Sequence, residues 1–171
     1  MLELIVDNDV VDILPREAEI AIRLAKPTAQ DLIARRIGTL SFQLFASRDY
    51  LQHNHPPGDL KAINRHSLVT LSQRRSTRDE VWQDVLDNNT GKNFSTNSSL
   101  AQIAAIRAGF GIGLVATYLG GLFDDLVPIL HAYCWKKQEI WLAAHPDMKK
   151  NPTIRETYNY IATDIKTKLQ Q

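Results

Sequence analysis

Four consecutive polar residues, Thr96, Asn97, Ser98 and Ser99, stand directly before an alanine-rich run of helical character. Their side chains would surround the N-terminus of that helix, where free backbone N–H groups and the helix dipole favour an anion. Such residues also serve as ordinary helix caps, which is their commoner use. Ser99 and Gln102 have the S-x-x-Q spacing of a capping box, which predicts Ser99 as the N-cap. From the residues alone, capping and ligand binding remain alternative roles for this segment.

Three alternate glycines, Gly109, Gly111 and Gly113, follow the helical run. A dinucleotide-binding loop needs the order strand, glycines, helix, so that the phosphate meets a helix N-terminus. Here the glycines come after the helix, and the sequence excludes such a loop. Gly109 instead suits the left-handed residue that ends a helix, and residues 112–115 have the composition of a short buried strand.

The helix itself carries an apolar stripe. Leu100, Ile103, Ala104 and Ala108 recur at helical spacing, which predicts that they form its buried face. The alanines would let this face pack closely against a flat surface such as a sheet. The predicted unit is therefore a capped helix, a glycine turn and a buried strand.

Other residues that can do chemistry are poorly grouped. His53 and His55 could supply two metal ligands, but they lie in a proline-rich loop without an acidic or thiol partner nearby. The basic run at 74–78 is typical of a solvated loop. Cys134 lacks the sequence context of a nucleophile, and no G-x-S-x-G elbow or recognisable carboxylate pair is present. We therefore predict no catalytic residue, no metal site, no cofactor and no enzyme activity.

The 171 residues carry a net charge of +1, with 44% hydrophobic and 23% charged residues. These values are typical of a soluble globular chain of one domain or two small lobes, and do not favour a nucleic-acid or anionic-membrane surface. The single cysteine excludes an internal disulfide and agrees with a reducing compartment. There is neither an apolar run of membrane-spanning length nor an N-terminal signal peptide. We predict a cytoplasmic protein with no membrane partner.

Segments of strand and helix character alternate along the chain. Strands are predicted near residues 2–7, 19–24, 32–46, 67–71, 93–96, 112–115, 126–130 and 138–145, and helices near 47–53, 59–66, 99–108 and 153–169. Residues 81–86 are compatible with either structure. Because the two types alternate and most strands are short and apolar, the sequence predicts an α/β protein with mainly parallel sheets.

Several segments, taken in order, resemble the effector-binding domain of LysR-type transcriptional regulators. They are LELIVDNDVVDIL followed by EAEIAIR, then LIARRIGTLSFQLFASRDYL, the PPGDL loop, AAIRAGFGIGL, LVPIL, and a late strand leading into a C-terminal helix. The order and spacing of these segments carry the match along almost the whole chain. Glu19 replaces an aspartate, and Ala116 a proline, of the usual family pattern.

The resemblance implies an α/β fold of two flavodoxin-like lobes, similar to type 2 periplasmic binding proteins. The first lobe would comprise residues 1–40 and 139–171, and the second residues 41–138. Crossover strands at 38–46 and 138–145 would join them. A small effector would bind in the cleft between the lobes, which agrees with the general rule that open α/β sheets bind ligands beyond the carboxyl ends of their strands.

In similar proteins, two segments line this cleft. The one before the helix at 99–108 implicates Thr96, Asn97, Ser98 and Ser99, and the one after the AIR sequence implicates Arg23, Leu24 and Ala25. Arg23 could hold a carboxylate bidentately, or it could form a structural ion pair with Glu17 or Glu19. These residue types imply a small anionic or polar effector.

The resemblance also implies segments before residue 1. A full regulator of this family begins with a winged helix-turn-helix and a linker helix, and the first strand and helix of its first lobe precede LELIVD. We therefore expect a first lobe truncated at its N-terminus, with Met1 as an internal or late start, and DNA binding only through the missing helix-turn-helix. The family's pairing of the first lobe of one chain with the second lobe of its mate implies a homodimer. The alternative function is a stand-alone solute-binding protein of periplasmic type.

Overall fold

A computed structural model of the chain describes residues 3–6, 18–28, 32–72, 79–133, 135 and 137–169. The chain divides into two units: unit 1 contains residues 1–40 and 138–171, and unit 2 contains residues 41–137. In chain order, the elements are β1 (Ile20–Arg23), β2 (Ile33–Leu40), β3 (Phe42–Ser47), α1 (Arg48–His53), α2 (Leu60–Ile63), β4 (Leu68–Leu71), α3 (Glu80–Asp87), β5 (Asn93–Thr96), α4 (Ser99–Arg107), β6 (Gly113–Ala116), α5 (Thr117–Gly120), β7 (Leu126–Ile129), β8 (Gln138–Ala144), a 3₁₀ turn (Pro146–Lys150) and α6 (Pro152–Lys168). In the described ranges, no helix combines the length and apolarity needed to cross a membrane.

Unit 1 is built on a three-stranded sheet of order β1-β8-β2, in which both pairs are antiparallel. Helix α6 covers it, because its apolar positions recur at helical spacing. Tyr158 and Ala162 are its buried residues, and the Tyr158 hydroxyl donates to the Leu142 carbonyl oxygen at 3.2 Å. The Asn151 side chain accepts from the N–H groups of Thr153 and Ile154 and so caps the helix.

Unit 2 contains an antiparallel sheet of order β6-β3-β7 and a parallel pair β4-β5. A parallel bridge from Leu68 to Ile112 connects β4 with the residue before β6. Both faces of β3 are covered, since Leu44 and Ala46 belong to one apolar cluster and Phe45 to another. Ser47, at the end of β3, is also buried, and its hydroxyl caps α1 by accepting from Tyr50 N–H. This strand is therefore the centre of the unit's core.

Helix α3 resolves the segment whose structure the sequence left open. The Asp79 carboxylate accepts from the N–H groups of Val81 and Trp82 at 2.9 and 3.2 Å, which caps the first turn. Trp82 and Val85 then point into the core of unit 2. The Asp79 cap and the three-residue spacing of Trp82 and Val85 explain why this segment is a helix and not a strand.

Two expectations about the sheets were wrong. Residues 3–6, within the predicted strand at 2–7, do not form a strand, and Leu4 and Val6 are 83% and 81% exposed. Among the described strand pairs, only β4-β5 is parallel, whereas the sequence predicted mainly parallel sheets. Alternation of strands and helices does not fix direction here, because β8 inserts between β1 and β2 from the far end of the chain. Such long-range pairing leaves no local sequence pattern.

Gly109 ends α4 with a φ of 77°, as predicted from its position after the helical run. Its N–H donates to the Ile106 carbonyl oxygen at 3.0 Å, and Phe110 N–H donates to the Ala105 carbonyl oxygen at 3.1 Å. Gly109→Ala should lower the free energy of unfolding by about 1 kcal/mol, because a Cβ disfavours the left-handed region. Urea unfolding measures the effect.

Gly58→Ala is the matched control for this prediction. A Cβ built at Gly58 meets no atom within 4 Å, and the backbone there is not left-handed. We expect its free energy of unfolding to stay the same or to rise by up to about 1 kcal/mol, because Ala restricts the unfolded chain. Equal effects at the two glycines would contradict the argument from backbone conformation.

Candidate functional site

The polar segment singled out in the sequence lies at the carboxyl end of a parallel strand pair. Strand β5 ends at Thr96, which is in register with Leu71 at the end of β4. Asn97 and Ser98 follow, and Ser99 begins α4. Strand, short turn and helix therefore bring the N-terminus of α4 to this edge of the sheet, where open α/β sheets bind their ligands.

The cap of α4 is Ser98, so the prediction of Ser99 as N-cap was wrong. Ser98 has an extended backbone, with φ −109° and ψ 121°, and its hydroxyl accepts from Ala101 N–H at 3.3 Å. The Ser98 N–H in turn donates to the Thr96 hydroxyl at 3.1 Å. A cap residue must have a non-helical backbone, and Ser99 already lies inside the helix.

Gln102 does not complete a capping box but lies in the core. It is 3% exposed, and its amide nitrogen donates to the carbonyl oxygens of Val69 and Leu114, each at 3.2 Å. These carbonyls belong to β4 and β6, which are joined by a single bridge at Leu68 and Ile112. The side chain therefore satisfies two strand carbonyls where the ladder is interrupted.

With Gln102 in the core, α4 is rotated about its own axis relative to the orientation predicted from its apolar residues. The buried residues of α4 are Gln102, Ile103 and Ile106. Leu100 is 73% exposed, and Ala104 and Ala108 are also exposed, so only Ile103 of the predicted face is buried. The apolar pattern failed because it assigned the glutamine to solvent, whereas Gln102 is buried and donates to carbonyls of two strands.

The start of α4 presents hydrogen-bond donors of the kind that polar or anionic groups accept. The first N–H groups of a helix, here those of Ser99 and Leu100, have no acceptor within the helix, and the helix dipole is positive at this end. The exposed side chains of Asn97 and Ser99 add further hydrogen-bonding groups. Four of the seven residues predicted to contact a ligand, those at 96–99, are thus grouped at one helix terminus.

Sequence reasoning missed two further hydroxyls at this edge. Ser72 follows β4, and its hydroxyl lies 2.8 Å from the hydroxyl of Ser95 in β5. Ser72 N–H donates to the Thr96 carbonyl oxygen at 2.6 Å. The parallel register of β4 and β5 places these residues together. In the sequence, their hydroxyls stand near the ends of two predicted strands, and this position could have identified them.

The three remaining candidates lie on unit 1. Arg23 is the last residue of β1, in register with Trp141 of β8, and it is half-buried. Leu24 and Ala25 follow it and are exposed, Leu24 by 45%. Glu17, one of the two proposed ion-pair partners of Arg23, lies outside the described residues.

The other chemistry-bearing residues show no assembled centre. His53 Nδ1 lies 3.0 Å from the Asp49 carbonyl oxygen, one helical turn earlier. In the part of the chain that the structure describes, no three His, Cys, Asp or Glu residues are grouped to hold a metal ion. Cys134 and the basic run at 74–78 lie outside that part.

A half-buried histidine lies at the opposite end of β4. The Tyr50 hydroxyl lies 3.0 Å from His66 Nδ1 and accepts from Ser67 N–H at 3.3 Å. Burial lowers the pKa of His66 and raises the pKa of Tyr50. Both shifts favour the neutral forms that share this hydrogen bond.

These shifts predict a pH dependence of stability. Because the pKa of His66 is lower in the folded chain than in the unfolded chain, the unfolded state binds more protons below about pH 6.5. The contribution of His66 to the free energy of unfolding is therefore complete above that pH and is lost as the pH falls toward the folded pKa. Denaturant unfolding between pH 7.5 and 5 should show a smaller decrease for His66→Gln than for the unmodified chain. His131→Gln, at an exposed histidine, is the control; a decrease of equal size in all three proteins would contradict the assignment.

Comparison with known proteins supports the fold. Residues 1–165 match the model of the LysR substrate binding domain family. The regulatory domain of CrgA, a LysR-type transcriptional regulator from Neisseria meningitidis, superposes with a TM-score of 0.73 at 18% identity, covering 87% of this chain and 76% of that one. The full-length Vibrio cholerae virulence activator AphB gives a TM-score of 0.70 at 19% identity, covering 92% of this chain and 56% of that one.

Curated relatives agree with this family. An HTH-type transcriptional regulator from Haemophilus influenzae is 26% identical over 157 residues, which cover 83% of this chain and 51% of the relative. This chain thus spans about half the length of that relative. The comparisons favour regulators over a stand-alone solute-binding protein, and the neighbours have the type 2 periplasmic binding protein-like fold. Since the family model matches nearly every residue, the chain belongs to the family of LysR substrate-binding domains, the effector-binding regulatory domains of LysR-type transcriptional regulators.

Proposed function

We propose that this chain senses a small anionic or polar metabolite for a LysR-type DNA-binding transcriptional regulator. The residues that contact the effector in this proposal are Thr96, Asn97, Ser98 and Ser99 of unit 2 and Arg23, Leu24 and Ala25 of unit 1. Occupancy of the site changes the regulator's affinity for DNA, because effector and DNA then bias the same conformational equilibrium.

The observation that supports this site most directly is the N-terminus of α4. Ser98 already caps the helix through Ala101 N–H, so the hydroxyl segment has a structural role. Capping uses one N–H group of the first turn and leaves those of Ser99 and Leu100 for another acceptor. Asn97 and Ser99 are exposed beside them. Capping and ligand binding are therefore compatible roles for this segment.

Arg23 supplies the positive charge in the proposal. A guanidinium donates two parallel N–H···O bonds to one carboxylate, which gives orientation as well as affinity. The exposed Leu24 and Ala25 beside it provide the apolar surface for the remainder of a small metabolite. An anionic effector, a carboxylate above all, is the chemical class that these groups favour.

The regulators of this family bind small-molecule effectors and form oligomers, and their regulatory domains are in general non-enzymatic. We extend this to a cytoplasmic homodimer of the parent regulator with no catalytic residue in this domain. Contact with DNA belongs to a helix-turn-helix, as the name of the Haemophilus influenzae relative suggests.

A binding screen tests the proposal. The chain is titrated with a panel of small mono- and dicarboxylates, with neutral sugars as the contrasting class, and the thermal midpoint and the heat of binding are followed. We expect saturable stabilisation by a carboxylate and at least a tenfold loss of affinity in Arg23→Gln, about 1.4 kcal/mol or more. Arg155→Gln, at an exposed arginine of α6, is the matched control. A ligand that binds both variants equally well would contradict the proposed role of Arg23.

A further inference from the structure

A small cavity lies at the opposite end of β4 from the proposed effector site. It has a volume of about 390 Å³, and the residues that line it are His55, Pro56, Pro57, Gly58, Lys61, Ala62, Arg65 and His66. His66 comes two residues before the start of β4, whereas the Thr96 segment adjoins the strand's end. Four strand residues separate the two places by about 13 Å, so this cavity is a distinct site.

The hydrogen bonds of Tyr50 favour the tautomer of His66 that carries its proton on Nε2. Ser67 N–H donates to the Tyr50 hydroxyl, so the hydroxyl proton is free to point at His66 Nδ1, 3.0 Å away. Nδ1 is then an acceptor, and a neutral imidazole carries its proton on Nε2. His66 thus presents an N–H donor on its other ring nitrogen without bearing a charge, and it is one of the residues that line the cavity.

The charges around the cavity are of one sign. Lys61 and Arg65 are both exposed, and in the described part of the chain neither forms an ion pair. None of the described residues that line the cavity is acidic. The nearest carboxylate in sequence, that of Asp59, accepts from Ala62 N–H at 2.8 Å and caps α2. The cavity therefore has at least two positive charges and two imidazole rings.

Three backbone carbonyls beside the cavity already accept hydrogen bonds. The carbonyl oxygens of Lys61, Ala62 and Ile63 accept from the N–H groups of Asn64, Arg65 and His66 at 2.8–3.3 Å. Pro56 and Pro57 form a wall whose φ angles are fixed, and Pro57 is buried. Lys61, Arg65 and His66 thus line an open cavity of a size that small ligands occupy.

We propose that this cavity binds the phosphate group of a small phosphorylated metabolite. The donors are the Lys61 ammonium, the Arg65 guanidinium and His66 Nε2–H, with His55 at the rim. A phosphate monoester carries a charge of about −1.5 to −2 at pH 7, which matches two cations better than a single carboxylate does. Arg and Lys are the usual partners of phosphate oxygens. This site is independent of the proposed effector site and of its residues.

The test uses inorganic phosphate and glycerol phosphate as probes on the full chain, with backbone amide shifts at residues 61–67 and titration calorimetry as readouts. The double variant Lys61→Gln/Arg65→Gln should weaken phosphate binding at least tenfold. The control Lys149→Gln/Arg155→Gln removes the same charge from exposed positions of unit 1 and should change affinity less than twofold. Circular dichroism verifies that both variants fold.

Three results would overturn the proposal. They are an absence of saturable phosphate binding, equal weakening in the two double variants, and acetate binding as tight as phosphate binding. Tighter binding of glycerol phosphate than of inorganic phosphate assigns the site to a phosphorylated metabolite, and the reverse order overturns that assignment in favour of free phosphate. The ¹⁵N shifts of His66 give a separate check, since a proton on Nδ1 would contradict the donor role of Nε2. The amide shifts at residues 61–67 report on this cavity and not on the Thr96 segment or Arg23, so the two proposed sites fail or succeed separately.

Discussion

Gln102→Ala should lower the free energy of unfolding by about 3 kcal/mol. The substitution leaves the carbonyl oxygens of Val69 and Leu114 without the amide donor that now reaches both. Each buried acceptor left without a partner costs roughly 1–3 kcal/mol, and the cavity left by the shortened side chain adds to this. Denaturant unfolding followed by circular dichroism measures the loss.

Two further variants identify the cause of that loss. Gln102→Met keeps most of the side-chain volume but cannot donate, so it should retain about two thirds of the destabilisation. Leu100→Ala, on the same helix at a side chain that is 73% exposed, should change the free energy of unfolding by less than about 0.5 kcal/mol. A larger loss at Leu100 than at Gln102 would mean that the helix buries the face predicted from its apolar pattern.

Alanine substitutions at Asn97 and Ser98 should separate ligand binding from helix capping. Ser98→Ala removes the acceptor for Ala101 N–H and should cost about 1 kcal/mol of stability as well as affinity for the effector. Asn97→Ala removes an exposed side chain and should leave stability unchanged while lowering affinity about tenfold, the value of one lost hydrogen bond to a charged ligand.

The measurement pairs urea unfolding with calorimetric titration of a carboxylate that stabilises the unmodified chain. Thr163→Ala, at an exposed residue of α6, controls for the loss of a surface polar group. If Asn97→Ala binds the carboxylate as tightly as the unmodified chain, Asn97 has no part in the effector site. If Ser98→Ala alone loses both properties, the segment acts mainly as a cap.

Local signals in the sequence were sufficient for most elements. Asn151, Asp59 and Ser47 cap their helices with the side-chain oxygens that their residue types provide. Gly109 takes the left-handed conformation because no other residue does so without a steric cost. Each of these depends on atoms within a few residues of one another, so the sequence carries the information directly.

Strand direction and the orientation of α4 could not be obtained in this way. The antiparallel position of β8 between β1 and β2 joins residues about a hundred positions apart. Gln102 can be a core residue because carbonyls of two other strands lie within hydrogen-bonding distance of its amide. No pattern within the helix contains that information.

The sequence by itself determined the family, most of the helices and strands, and the polar segment from Thr96 to Ser99, because these depend on residue types and their spacing. Tertiary structure decided which serine caps α4, which helix face is buried, and that Tyr50 holds the Nδ1 side of His66. It also brought His55, Lys61, Arg65 and His66 around one cavity. These features arise from contacts between separate elements, whose hydrogen-bonding needs become definite only when the chain has folded.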